Sequence, residues 1–170
     1  MSNGIRNKYK NEALNIIQEK YLEIDFSSLD NDTFKVGDLV DTLGWDAEFV
    51  ILPRSVYGFT TICDKKTIIF LNQKHETEVN RFTIAHQIGY YVLHGHFSNE
   101  TDKDRKYIKE ERKKNAEVNS FASELLMPEY QFVKIFQKYK GNFSRIAFTF
   151  KVSLSMCIAR ALNLGCISSV

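Results

Sequence analysis

The sequence predicts an α+β fold in which a small antiparallel sheet packs against helices, and three observations carry that expectation. Between residues 47 and 73 lie three short runs rich in β-branched and aromatic residues, AEFVIL, GFTTICD and TIIFLNQ, punctuated by Pro53, Gly58 and the Asp64-Lys65-Lys66 turn. This is strand chemistry interrupted by turn chemistry. From Glu76 onward the apolar period becomes that of a helix and stays so. The 170-residue length and the 44% hydrophobic content suit one domain, residues 1–170, with a core of its own.

Taken in order, Ala13, Ile16, Ile17 and Leu22 recur near helical spacing and predict a helix over roughly 6–23, followed by the turn-rich segment SSLDNDT. Phe34 to Leu43 reads as a short second helix stopped by Gly44. The three strand runs then form a meander. Phe82, Ile84, Ala85, Ile88, Tyr91 and Val92 make a broad apolar stripe on the next helix, which should be buried. The charged stretch FSNETDKDRKYIKEERKKN reads as a loop running into the exposed first turns of another helix, where Glu110 and Lys114 have the i,i+4 order that supports one. That helix continues through NAEVNSFASELLM and ends at Pro128, because the residue before a proline is pushed out of helical geometry. Three shorter helices follow, the first and second separated by Gly141, the second and third by Lys151-Val152-Ser153.

A net charge of +2 lacks the basic excess of a dedicated nucleic-acid binder. The start MSNGIRNKYK has no apolar core of the kind a signal peptide needs, and no run approaches a membrane span, so the chain is expected in the cytoplasm. Cys63, Cys157 and Cys166 are odd in number, widely spaced and set among apolar neighbours, which predicts reduced, buried thiols.

The chemically informative stretch is RFTIAHQIGYYVLH, residues 81–94. Two histidines four apart on a helix face one way and hold a zinc ion, while a glutamate after the first polarises the bound water. Here His86 stands alone: Gln87 takes the glutamate's place and Tyr90 the second histidine's. An amide does not accept a proton at neutral pH, and a phenol of ordinary pKa about 10 must lose its proton to ligate well.

Together with NAEVNSFASELLMP, residues 115–128, this stretch resembles the ImmA/IrrE family of bacterial metallopeptidases, whose corresponding segments look like RFTxAHExGHxxLH and ExExANxFAxxLLMP. The resemblance runs from about Thr67 to Gly165 and implies a zincin-like metallopeptidase fold, with a peptidase-like core over 1–130 and a C-terminal helical segment over 131–170. It places the family's glutamate ligand on Asn115. It also places on Asn119 the asparagine that in related zincins orients a ligand histidine. Of the four metal-binding or catalytic positions only His86 is kept, so the site residues read as vestigial: Gln87 for catalysis, and His86, Tyr90 and Asn115 for the metal.

Nothing nearby restores the set. Glu117 is two positions from Asn115, about 200° around the helix, and His94 is eight past His86, about 12 Å along the axis. His96 lies past Gly95 in the expected loop. His86 therefore reads as a hydrogen-bonded, partly buried histidine, with Gln87 and Tyr90 filling the old cavity as a polar network.

The stretch NFSRIAFTFKVSLSMCIARALNLG has a helix-turn-helix pattern, with Ser153 capping its second helix. That helix begins S-L-S-M-C-I-A and offers little beyond Ser155 and Arg160 for contact with a partner or nucleic acid; Leu154 and Met156 would suit a protein partner. The expectation is a catalytically inactive relative that carries no zinc. The resemblance implies the partner: a helix-turn-helix repressor of a prophage or mobile element, which active relatives cleave and this chain would sequester. The alternatives are a zinc endopeptidase that cleaves such a repressor with non-standard ligands, and a DNA-binding regulator.

Overall fold

The structure, a computed structural model, describes residues 35–95 and 105–168. The expected helix at 6–23, the SSLDNDT turn, Phe34, His96 and the loop up to Asp104 lie outside those residues. The elements are α1 (Val36–Thr42), β1 (Asp46–Val50), β2 (Gly58–Cys63), β3 (Lys66–Asn72), α2 (Thr77–His94), α3 (Arg105–Leu126), α4 (Glu129–Lys138), α5 (Phe143–Phe150) and α6 (Leu154–Asn163). This is the expected α+β class.

The sheet differs from the expected meander. Its strand order is β1-β3-β2, with β2 antiparallel to β3 but β1 parallel to it, so the sheet is mixed. Only β2 and β3 form a hairpin, closed by Asp64 and Lys65, both at positive φ, as a tight two-residue turn demands. The middle place goes to the most apolar strand: Ile69 and Leu71 of β3 are buried under helices, whereas the acidic β1 is exposed along most of its length. A polar strand at an edge is the usual defence against edge-to-edge pairing.

One buried side chain holds the residues between β1 and β2. Asn72, fully buried, donates through Nδ2 to the carbonyls of Pro53 and Val56 at 3.0 and 2.8 Å and accepts through Oδ1 from the Lys74 N–H at 3.1 Å. A connection without regular structure thereby has its polar groups satisfied inside the fold.

The core runs from α1 through the sheet to the C-terminal helices, with Leu39, Ile69, Ile88, Leu125, Phe132, Ile146, Phe150 and Cys157 at its centre. Trp45 meets Tyr91 edge-on at 5.0 Å, and Phe132 stacks on Phe150 at 5.7 Å. The chain breaks fall where the sequence placed them. Pro128 separates α3 from α4, the Asn142 side chain caps α5 by accepting from the Arg145 N–H at 3.1 Å, and Ser153 caps α6 by accepting from the Met156 N–H at 3.3 Å. All three thiols are free, but only Cys157 is buried as expected: Cys166 is half-buried and Cys63 is exposed at the end of β2. It sits at an edge strand's tip, where no helix covers it. Burial pushes the Cys157 thiol up to about 11.

Two measurements check this description. Asn72→Ala removes three hydrogen bonds to part-buried backbone groups at once and should destabilise the chain by about 1–3 kcal/mol in urea unfolding. In a pulse of thiol reagent read by mass spectrometry, Cys63 should label first and Cys157 only on unfolding; labelling of Cys157 at the rate of Cys63 would contradict the packing.

Candidate functional site

The site lies where α2 crosses α3, under β2. Helix α2 is closed at its end by Gly95, in the left-handed conformation at φ 68°, whose N–H bonds to the Tyr91 carbonyl at 2.8 Å. Its centre is set by Gly89. A Cβ there would lie 2.9 Å from Phe121 Cδ1 and 3.1 Å from Val118 Cγ1, so only a glycine lets α3 come this close.

The two helices run antiparallel, and their facing side chains meet in successive rungs. His86 Nδ1 lies 3.0 Å from Asn119 Oδ1, and Tyr90 Oη donates to Asn115 Oδ1 at 2.7 Å. Glu111, one turn before Asn115, places Oε2 3.4 Å from the same phenol and binds Lys114 Nζ through Oε1 at 2.9 Å. From the sheet side, Thr60 of β2 donates its hydroxyl to Gln87 Oε1 at 3.0 Å, and both residues are buried. All five positions singled out in the sequence, His86, Gln87, Tyr90, Asn115 and Asn119, are thus brought together and hydrogen bonded.

The chemistry of this arrangement follows from its protonation. With the Asn119 oxygen accepting, the His86 proton sits on Nδ1 and the Nε2 lone pair is left open, the tautomer in which histidine binds metals. Burial lowers the imidazole below its ordinary 6.5, and the Asn119 hydrogen bond opposes that only in part. His86 is therefore neutral at physiological pH. Tyr90 is fully buried with its proton donated to an amide, and the Glu111 charge is met by Lys114. Gln87 supplies no base.

The zinc that the motif implies needs three or four convergent donors. Among the described residues no group of three or more His, Cys, Asp or Glu side chains is placed to hold a metal ion. The donor set does not fit the ion. Glu117 reaches Lys113 at 4.0 Å and His94 Nε2 at 3.7 Å, on the flank of the helix pair rather than at His86.

Of the two residues proposed to touch a partner, Ser155 is exposed and bonds Ser153 Oγ at 3.0 Å. Arg160 is a correction. It is 6% exposed, gives Nε to the Met127 carbonyl at 3.0 Å and pairs with the half-exposed Glu124, so its guanidinium is engaged by the fold itself. Helical spacing places it on the inward face with Cys157 and Ala161, which its charge alone disguised.

Sequence reasoning missed Thr60, Glu111 and Lys114. Glu111 had a signal, since it precedes Asn115 by four and shares its face. Thr60 had none beyond strand parity.

Comparison with known proteins adds the following. The model of the IrrE N-terminal-like domain matches residues 51–162, more than half of the chain. Among solved structures, a Mycobacterium tuberculosis transcriptional regulator superposes with a TM-score of 0.59 at 12% identity, covering 90% of this chain and 46% of that one. This chain therefore spans under half of that protein's length, and the likeness shows the shared fold. No curated protein matches the chain significantly.

Tyr90→Phe leaves Asn115 Oδ1 without its donor and should cost about 1–2 kcal/mol in urea unfolding; with Asn115→Ala added, the loss should be less than the sum. For His86 the sign follows from its depressed value. The unfolded chain takes up the proton first, so stability is complete above about 6.5 and falls as pH drops toward the lower folded value. Imidazole titration by NMR should place His86 below 6.5, and His86→Gln should flatten the loss of stability between pH 7.5 and 5.5.

Proposed function

The chain belongs to the IrrE N-terminal-like domain family, and from that premise we propose that it is a member without peptidase activity that regulates transcription by binding another protein. The observation that carries this reading is the 2.7 Å bond from Tyr90 to Asn115. The two side chains at the second-histidine and glutamate positions satisfy each other, where a metalloenzyme needs both turned to an ion. Hydrolysis further requires a group that takes a proton from water, and Gln87 has its carbonyl oxygen engaged by Thr60. The reading assigns no zinc to the site and no step of catalysis to its residues. Helix packing at Gly89 and the His86–Asn119 contact are kept, so the scaffold outlives the chemistry.

The partner proposed is a helix-turn-helix repressor of a prophage or other mobile element, held in the cytoplasm and not cut. The family resemblance supports it, as does a structural neighbour that is itself a transcriptional regulator. The buried Arg160 weighs against direct sequence readout by α6, because it removes that helix's one guanidinium from the surface.

Metal analysis tests the reading. Purified protein should contain close to no zinc, and its melting temperature should not respond to a chelator. The variant combining Gln87→Glu, Tyr90→His and Asn115→Glu should take up about one zinc per chain, since the ligand set is then complete. A tightly bound zinc in the unaltered chain that disappears in His86→Ala would sink the proposal. Calorimetric titration with the repressor encoded beside the gene should show binding, and incubation of the two should leave the repressor uncut.

A further inference from the structure

The last forty or so residues carry a charge distribution that the whole-chain value conceals. From Glu129 onward the basic residues are Lys134, Lys138, Lys140, Arg145, Lys151 and Arg160, against the single acid Glu129, although the entire chain is only +2. Arg160 is buried and paired; the other five are exposed. Exposed apolar side chains lie on the same stretch of chain. Phe148 of α5 is 84% exposed, with Arg145 one turn before it and Lys151 at the left-handed cap that ends the helix, and Leu154 and Leu162 of α6 are 48% and 39% exposed. Leu154, the half-buried Ile158 and Leu162 stand four apart, a single stripe along α6.

The bearing of this surface is fixed. The α5 and α6 axes turn through 102°. Arg81 of α2 donates Nε to the Lys151 carbonyl at the turn, at 3.2 Å, and Arg160 holds α6 to the end of α3. A surface already held in place loses little freedom when something docks on it.

We propose that the outer face of α5 and α6 docks an amphipathic helix of a partner protein, one whose apolar stripe meets Phe148, Leu154 and Leu162 and whose flanking residues are acidic. An apolar helix stripe takes the apolar stripe of another helix, and cations at its margins select carboxylates. Duplex DNA fits less well. It would meet leucines and a phenylalanine where a reading helix presents amides and guanidinium groups. The inference does not depend on whether the α2–α3 site holds metal.

Fluorescence anisotropy with three probes tests it, using the full chain. The first is a labelled synthetic helix of about eighteen residues with leucines at i, i+3, i+4 and i+7 spacing and glutamates between; the second is the same composition with the leucine spacing scrambled; the third is a 30-base-pair duplex. The spaced helix should bind about tenfold or more tightly than the scrambled one, and raised salt should weaken it. Phe148→Gln and the pair Arg145→Glu, Lys151→Glu should each lower that affinity about fivefold or more, with unchanged circular dichroism. All three positions are exposed. Equal binding of the scrambled helix, or preference for the duplex, would overturn it, as would a concentration-dependent dimer abolished by Phe148→Gln, which would give the face to a second copy of the chain.

Discussion

The close approach of α2 and α3 at Gly89 is the constraint on which the site depends. Two helices whose surfaces meet without a Cβ between them bring facing side chains within hydrogen-bonding reach at every turn, and each such pair must be satisfied in place. His86 with Asn119 and Tyr90 with Asn115 are those pairs. A second close approach fixes the third direction. A Cβ at Gly58 would fall 2.5 Å from the Phe70 carbonyl oxygen and 2.9 Å from Thr83 Cγ2, so β2 lies tight against α2 and Thr60 reaches Gln87. The geometry that brings ligands together for an ion brings amides and a phenol together just as well.

Electrostatics explains why Gln87, Tyr90 and Asn115 suit one another as a set. An ion-binding cluster stripped of its ion leaves carboxylates repelling one another in a poorly solvated site, and one of them must take up a proton at some cost. Glutamine at 87 and asparagine at 115 place no such charge there and have polar ends that hydrogen bond. Tyrosine at 90 then supplies the proton that the asparagine oxygen accepts. The remaining acid, Glu111, is answered by Lys114, and His86 stays neutral because burial favours its uncharged form. Every group in the network is either neutral or paired.

Most of the helical architecture was legible because helix signals are local. Period, caps at Asn142 and Ser153, and the breaks at Pro128 and Gly141 each sit within a few residues of the effect they cause. Strand order is not local. The hairpin of β2 and β3 is written in its two-residue turn, but the pairing of β1 with β3 depends on which strand best fills the buried middle, a comparison among all three. The site was legible where a motif fixes spacing, as for His86, Tyr90 and Asn115, and illegible where contact crosses between elements, as for Thr60. Arg160 shows the opposite failure: its type suggested a surface role, while its position four before Leu164 and three after Cys157 belonged to the inward face.

Arg160 also bears on how the molecule separates its tasks. Its guanidinium joins α6 to the Met127 carbonyl and to Glu124, whose other oxygen accepts from the Glu129 N–H at 3.1 Å and so helps start α4. Arg81, at the head of the motif helix, ties the turn between α5 and α6 to α2. The C-terminal helices are thus fastened to both helices of the site by bonds that involve none of His86, Gln87, Tyr90 and Asn115. Loss of Arg160 would strand the Met127 carbonyl at the junction of three helices. That junction sets the bearing of α5 and α6 on the α2–α3 pair independently of the side chains that meet between α2 and α3.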